Sequence, residues 1–209
     1  MMIPKQPGSS DPSPATTVDH LLQQLAEGDR EAFNKLLPLV YDELHHLAGQ
    51  HRRRWSGDET LNTTAIVHEA YLRLAGAPQP AWRSQPHFMA VASRAMRHIL
   101  VDRARQQQRQ KRGGHQERIP WHEVEAALKT ASNPADARAE ALIALDAALR
   151  RLEQHDARQS RIVECRFFGG MSIEETGDAL GISPATVKRG WTMAQAWLHR
   201  ELTVTLETS

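Results

Sequence analysis

Apolar residues recur at helical spacing along most of the chain. Between residues 33 and 47 they lie three or four positions apart, which places an apolar stripe on one face of a helix. The same spacing predicts a second helix that begins near Ala65 and stops at Gly76, and a third that begins near Phe88. Valine, isoleucine and aromatic residues never alternate with polar residues over four or more positions, as they would in a half-buried strand. The pattern therefore predicts an all-α fold.

Breaks in this pattern divide the chain into two helical blocks. Pro38 interrupts the first stripe and is expected to bend or break its helix. Proline and serine are frequent in the polar first 17 residues, which predicts a flexible tail. After a stretch of mixed composition with two prolines, a new leucine stripe begins near Glu140. We therefore predict a tail, two small helical domains and a flexible linker between them: residues 1–17, residues 18–112 and 140–205, and residues 113–139.

The most specific motif lies near the end of the chain. Ser172 and Glu175 have the spacing of a capping box, which starts a helix predicted to end at Leu180. Gly181 suits a left-handed turn, and Ser183 before a proline is typical of the next helix start. A helix-turn-helix of this kind places the first turns of its second helix in the major groove of DNA. A helical hairpin that binds no DNA is the alternative. The candidate DNA-reading residues are Pro184, Ala185, Thr186, Lys188 and Arg189.

Charge is distributed unevenly along the chain, although its total is nearly balanced. The 209 residues contain 26 lysines and arginines against 25 acids, which excludes a strongly basic DNA-coating protein. Residues 1–50 carry three bases and seven acids, whereas residues 94–118 carry eight bases and two acids. Such a basic segment is typical of a surface that faces a polyanion, and a solvated helix face is the alternative. This uneven distribution of charge favours one surface for a protein partner and another for nucleic acid.

Nothing in the sequence indicates catalysis, a cofactor or a metal site. The single cysteine, Cys165, excludes an internal disulfide and a four-cysteine zinc site, and its apolar neighbours predict that it is buried. No carboxylate or cysteine stands at ligand spacing from the histidines, and no glycine-rich phosphate loop is present. No apolar run could cross a membrane or act as a signal peptide, so we expect a soluble, cytoplasmic protein. The histidines considered as ligands are His45, His46, His51, His115 and His122.

Three segments together resemble the extracytoplasmic-function sigma factors, small two-domain relatives of the primary sigma factor of bacteria. Residues 67–74 read VHEAYLRL and resemble the family segment that docks on the β′ clamp helices of RNA polymerase. Residues 88–105 resemble its helix for promoter melting and minus-ten recognition. Residues 140–205 resemble its domain for the minus-thirty-five element, which also contacts the polymerase β flap. The GDREAF stretch at residues 28–33 fits the start of the first domain.

The resemblance implies a role for each candidate residue. It implies that the chain binds core RNA polymerase and directs it to a two-part promoter without an enzymatic activity of its own. An anti-sigma factor is a usual further partner in the family, and no residue here identifies one. The residues that it assigns to polymerase binding are Ile66, His68, Glu69, Leu72 and Arg73. The residues that it assigns to the minus-ten element and strand separation are Arg94, Arg97, His98, Arg103, Arg105 and Arg109.

A second class of protein also fits the helix-turn-helix. A stand-alone repressor or activator would use the same motif, and its first half would form a dimer. The basic stretch at residues 94–118 discriminates between the two classes, because strand separation needs such a helix and a repressor does not. A repressor should also bind duplex DNA alone, whereas a two-domain sigma factor is expected to bind it poorly without polymerase.

Overall fold

The structure is a computed structural model that describes residues 14–55, 62–76, 83–111 and 135–204. All regular structure in these ranges is helical, which confirms the predicted all-α fold. Most of the predicted tail and linker, and the turn between the second and third helices, lie outside the described residues. We call residues 14–111 the first half and residues 135–204 the second half.

The first half contains four helices. A proline in the first turn of a helix costs no hydrogen bond, and α1 begins at such a residue, Pro14. The tail predicted to extend through residue 17 is therefore too long. Buried apolar residues of α1, among them Leu22 and Leu25, pack against α2. The four helices are α1 (Pro14–Ala26), α2 (Glu31–Trp55), α3 (Thr63–Gly76) and α4 (Gln85–Lys111).

The break considered at Pro38 does not occur, because α2 continues through the proline. A proline inside a helix removes one backbone hydrogen bond. Buried Leu36 and Val40 lie on either side of Pro38 in the sequence, and the buried stripe continues to Leu44 and Leu47. Packing of this stripe offsets the lost hydrogen bond, so tertiary contacts decide the outcome.

Polar caps fix where α3 and α4 begin. Asn62 Oδ1 accepts a hydrogen bond from the Thr64 N–H at 3.1 Å, so α3 begins two residues before the predicted Ala65. Ser84 Oγ accepts one from the His87 N–H at 3.4 Å, so α4 begins at Gln85 rather than near Phe88. Both caps satisfy N–H groups that the first turn of a helix leaves without partners.

The second half begins earlier than the sequence predicts. Its first helix starts at Ala135 rather than near Glu140, and Arg138 and Ala139 are buried. The predicted leucine stripe that begins at Leu142 is buried along this helix. The elements of this half are α5 (Ala135–His155), α6 (Ala157–Val163), a π-helix (Glu164–Phe168), α7 (Ile173–Leu180) and α8 (Pro184–Val204).

The two halves share one hydrophobic core, with α4 at its centre. α4 packs against α2 and α3 on one side and against α5, the π-helix and α7 on the other. Phe88 and Ile99 of α4 belong to the same buried cluster as Leu145 and Leu149 of α5. Sequence analysis predicts two domains on a flexible linker, whereas the structure brings them into direct contact. This contact determines which candidate residues are accessible.

Candidate nucleic-acid interface

The helix-turn-helix forms as its local signals predict. Ser172 Oγ accepts a hydrogen bond from the Glu175 N–H at 3.0 Å, and Glu175 Oε2 accepts one from the Ser172 N–H at 2.6 Å. Gly181 ends α7 with φ 66°, in the left-handed region that favours glycine. A Cβ atom on Gly177 would lie 2.8 Å from the backbone oxygen of Ile182, so a side chain there would force the turn away from α7. The predicted capping box and turn glycine are confirmed.

The first turns of α8 face outward from this motif. Ser183 Oγ accepts a hydrogen bond from the Thr186 N–H at 3.2 Å and lies 2.9 Å from Thr186 Oγ1. Thr186 is half-buried, whereas its candidate neighbours are exposed. Two cationic side chains therefore stand beside small apolar groups that can contact a thymine methyl. The exposed candidates are Pro184, Ala185, Lys188 and Arg189.

The opposite face of α8 explains this exposure. Val187, Ala194 and Leu198 are buried and lie at helical spacing, and Trp191 between them is half-buried. Because one face of the helix is fixed against α6 and α7, the residues between those positions must point away from the core. Packing of the opposite face of α8 thus keeps the candidate DNA-reading residues exposed.

A second candidate surface lies on α3. His68 and Leu72 are exposed, and Glu69 and Arg73 beside them are half-buried. These four residues share one helix face, because they are three or four positions apart. Leu72 is 55% exposed, the most of any leucine in the described residues. The predicted polymerase-binding residues other than Ile66 are therefore accessible together.

Ile66 is a wrong assignment as a binding residue. Its side chain is 1% exposed and belongs to the core. It stands four residues before Ala70 and eight before Leu74, and this row of α3 packs inward. The spacing of the apolar residues is the signal that separates Ile66 from its exposed neighbours.

Ion pairs connect the outward face of α3 to α4. Arg73 donates to Glu69 Oε1 at 3.1 Å within α3 and to Asp102 Oδ2 of α4 at 2.8 Å. Arg103 of α4 donates to Glu69 Oε2 at 3.4 Å. All four side chains are at least one-third exposed, so each pair contributes little to stability in water. The α3 face and the basic helix are neighbours on the surface.

The deepest of the predicted DNA-contacting arginines is covered by the second half. Arg97 is 2% exposed, and Asp146 of α5, which faces it, is fully buried. Arg97 donates to Asp146 Oδ1 from Nε at 3.2 Å and from Nη2 at 2.9 Å, and its Nη1 donates to Glu164 of the π-helix. In this arrangement Arg97 cannot reach a DNA strand, so contact with DNA requires the two halves to separate.

Two further arginines of α4 pair across the same contact. Arg105 donates to Asp146 Oδ2 at 3.0 Å, and Arg94 donates to Glu153 Oε1 at 3.0 Å. Both guanidinium groups are partly exposed. Together with Arg97 they join α4 to α5 and the π-helix through charge-assisted hydrogen bonds, which are stronger than neutral ones. The interdomain ion-pair cluster consists of Arg94, Arg97, Arg105, Asp146, Glu153 and Glu164.

The remaining candidates on α4 lie outside this cluster. Arg103 pairs with Glu69 as described, and Arg109 is exposed with no partner among the described residues. His98 is half-buried. Burial, and then the charges of Arg97 and Arg94, lower the pKa of the His98 imidazole from its ordinary value. The predicted DNA-contacting set thus divides into covered and accessible members.

Burial also acts on an acid of the interdomain cluster. Removal from water raises the pKa of the Glu164 carboxyl, and the nearby charges of Arg97 and Arg94 oppose this shift only in part. The fully buried Asp146 accepts more hydrogen bonds than Glu164, because Arg150 of the same helix also donates to its Oδ2 at 3.1 Å. Two carboxylates of the second half therefore stand against the guanidinium of Arg97.

The predicted site residues do not include the acids of this cluster, although the positions of these acids leave a signal. Asp146 stands four residues after Leu142 and three before Leu149, within the buried stripe of α5. An acid at an apolar position of a helix indicates a buried partner of opposite charge. Glu153 likewise stands four residues after Leu149, and Glu164 stands within the apolar run of residues 162–168.

The family model described as ECF sigma factor matches residues 15–204. The chain belongs to the ECF sigma factors. The match spans both halves and therefore includes both the basic helix α4 and the helix-turn-helix. No protein of curated function matches the chain.

Membership in this family sets the general role of the chain. An ECF sigma factor is an alternative sigma factor in transcription initiation, with DNA and RNA polymerase as its partners, and the family is not an enzyme family. No helix among the described residues is long and apolar enough to cross a membrane. The same residues hold no group of three or more histidines, cysteines or acids suited to a metal ion.

Proposed function

We propose that this ECF sigma factor binds core RNA polymerase through the outward face of α3 and directs it to a promoter with two elements. The first turns of α8 would read the upstream element. The arginines of α4 would contact the displaced strand at the downstream element. The observation that carries this proposal is the recognition helix itself, whose exposed Lys188 and Arg189 are fixed by a buried opposite face.

The proposed roles follow from the chemistry of each surface. Arginine and lysine donate to guanine in the major groove, and each good contact contributes about 1–3 kcal/mol of discrimination between bases. Unstacking a base costs a few kcal/mol, which phosphate contacts from a basic helix can offset. The outward face of α3 combines the exposed Leu72 with the segment at residues 67–74 that resembles the polymerase-docking segment of the family, which supports its role in polymerase binding. The anti-sigma partner that is usual in the family remains an expectation from the resemblance.

The polymerase surface is tested most directly at Leu72. Substitution of Glu69 or Arg73 would also break an ion pair with α4, whereas Leu72 is 55% exposed and can be changed to arginine without loss of an ion pair or a core contact. The matched control is Leu39→Arg on α2, where the leucine is 43% exposed. Gel filtration with sigma-free core polymerase should show co-elution of the wild type and the control, but not of Leu72→Arg.

Other outcomes of this experiment would contradict the proposal in different ways. Co-elution of Leu72→Arg would remove the α3 face from the polymerase interface. Failure of the wild type to bind polymerase, together with a stable free dimer that binds duplex DNA alone, would favour the stand-alone regulator.

A further inference from the structure

The surfaces proposed for function differ in their accessibility. The first turns of α8 and the outward face of α3 are open to solvent, whereas Arg97 of α4 is 2% exposed and Arg94 and Arg105 are engaged by acids. The structure therefore leaves the proposed polymerase and duplex-DNA surfaces accessible, whereas three of the arginines proposed for strand contact are engaged by acids.

The acids that engage α4 use the donors that a DNA phosphate would use. Asp146 Oδ1 takes two N–H groups of one guanidinium, from Arg97, and Asp146 Oδ2 takes a third from Arg105. A guanidinium binds carboxylate and phosphate through the same fork of donors, so the two ligands exclude each other. Glu153 accepts a hydrogen bond from Arg94, and Glu164 accepts one from Nη1 of Arg97.

Close packing reinforces these ion pairs. Ser93 of α4 is fully buried, and a Cβ atom on Gly169 would lie 2.9 Å from its hydroxyl oxygen. The two halves thus meet without space for a larger side chain at this point. Ser93 carries no charge and is not among the candidate DNA contacts, which makes it a second position at which the contact can be disturbed.

We propose that the second half autoinhibits the first, with Asp146, Glu153 and Glu164 holding the strand-contacting arginines of α4 in place of DNA phosphates. The closed form docks on polymerase through α3, and separation of the halves then frees Arg94, Arg97 and Arg105 for the displaced strand. This inference rests on the proposed role of α4 in DNA contact. It adds the acids of the second half that would keep these arginines from a separated strand in the free protein.

A closed majority form lowers the apparent affinity for DNA without any change in the DNA contacts. The measured affinity falls in proportion to the fraction of open molecules. If about one molecule in ten is open, full opening raises the affinity about tenfold. Variants that open the contact should therefore bind a single strand more tightly than the wild type, and by more than a matched change of charge alone produces.

The test uses two opening variants of the full chain and one matched control. Glu153→Arg places a cation opposite Arg94, and Ser93→Met inserts volume beside Gly169 without a change of charge. Glu201→Arg is the control, because it makes the same charge change and breaks an ion pair with Arg151 that lies within the second half. Binding to fluorescein-labelled oligothymidine is measured by anisotropy at low salt, and the radius of gyration by X-ray scattering.

Autoinhibition predicts that both opening variants have a larger radius of gyration and bind oligothymidine about tenfold more tightly, and that the control changes neither. Equal gains in affinity for Glu153→Arg and Glu201→Arg would attribute the effect to charge alone and overturn the proposal. So would opened variants with unchanged affinity, or an unchanged radius of gyration in both. Polymerase co-elution of the same proteins is scored separately, so a failure of the proposed function is distinguishable from a failure of autoinhibition.

Discussion

Two basic helices of this protein, α4 and α8, are both assigned to DNA, yet the structure presents them differently. The cations at the start of α8 are exposed, whereas three arginines of α4 are held by acids of the other half. The charge of a helix therefore indicates an anionic partner without indicating which anion is bound. For α8 the proposed partner is outside the molecule, whereas for α4 an internal partner is already present.

The two helices also differ in the origin of their structure. α8 is positioned by signals within about twenty residues, among them the capping box and Gly181. α4 is positioned by contacts with residues that lie about fifty to seventy positions away, such as Asp146 and Glu164. Substitutions that act on one helix and not on the other can therefore separate local from long-range effects.

The largest expected effect is the loss of a buried ion pair at α4. Asp146→Ala leaves the guanidinium of Arg97 buried with only Glu164 as its acid, and removing one partner of a buried pair costs about 3–5 kcal/mol. Glu201→Ala breaks the exposed pair with Arg151 and should cost less than about 1 kcal/mol. Urea unfolding of both variants measures the difference. Equal losses would show that burial does not strengthen the interdomain pair.

At α8 the expected effect is on recognition rather than on stability. Arg189→Glu should weaken binding of the holoenzyme to the upstream element by about 1–3 kcal/mol, because it replaces a base-contacting donor by an acid. Arg200→Glu makes the same charge change at an exposed site far along α8 and serves as the control. Filter binding with a promoter selected from a random pool measures both. Equal losses would remove Arg189 from the reading surface, and loss of polymerase binding would contradict separate roles.

A smaller effect distinguishes the covered and accessible arginines of α4 from each other. Arg105→Gln and Arg109→Gln should each reduce by about one the slope of log affinity against log salt for the open complex, because each removes one phosphate contact. Only Arg105→Gln should lower the stability of the free protein, since Arg105 alone of the two pairs with Asp146. An unchanged slope would place the residue outside the DNA path.

The smallest expected effect is on the pH dependence of stability. Burial and nearby arginines lower the pKa of His98, so the unfolded chain binds a proton first as the pH falls below about 6.5. Stability should therefore decrease from that pH downward, towards the lowered pKa of the folded state. His98→Gln should reduce this loss of stability, because glutamine does not titrate. Urea unfolding at pH 7 and pH 5 checks the sign, and identical losses in both proteins would contradict it.

Sequence reasoning identified the elements that local rules specify. The periodic stripes predicted the helices, and the capping box and glycine predicted the turn of the helix-turn-helix. Helix starts were less accurate at Pro14, Gln85 and Ala135. At α4, the cap at Ser84 is a short polar signal that precedes the apolar periodicity. Pro38 shows the limit of predictions from helix propensity, because packing of the surrounding apolar stripe outweighs the preference of proline to break a helix.

The interdomain contact could not be predicted in the same way. Whether Arg97 meets Asp146 depends on how two helices pack across a gap of about fifty residues, and no local pattern encodes that distance. Asp146 within an apolar stripe indicates a buried cation without naming it. The misassigned Ile66 is the opposite case, since its own spacing with Ala70 and Leu74 was enough to place it in the core.

The reactivity of the single thiol of the protein can be used to measure how often the two halves separate. Cys165 clusters with Met171 and Ala179 of the second half, and Ala90 of α4 packs against this cluster. Burial raises the pKa of its thiol to about 12, so very little of the reactive thiolate is present at pH 8. Its rate of alkylation in the native protein therefore reports how often the cluster around Cys165 becomes exposed to water, without any engineered label.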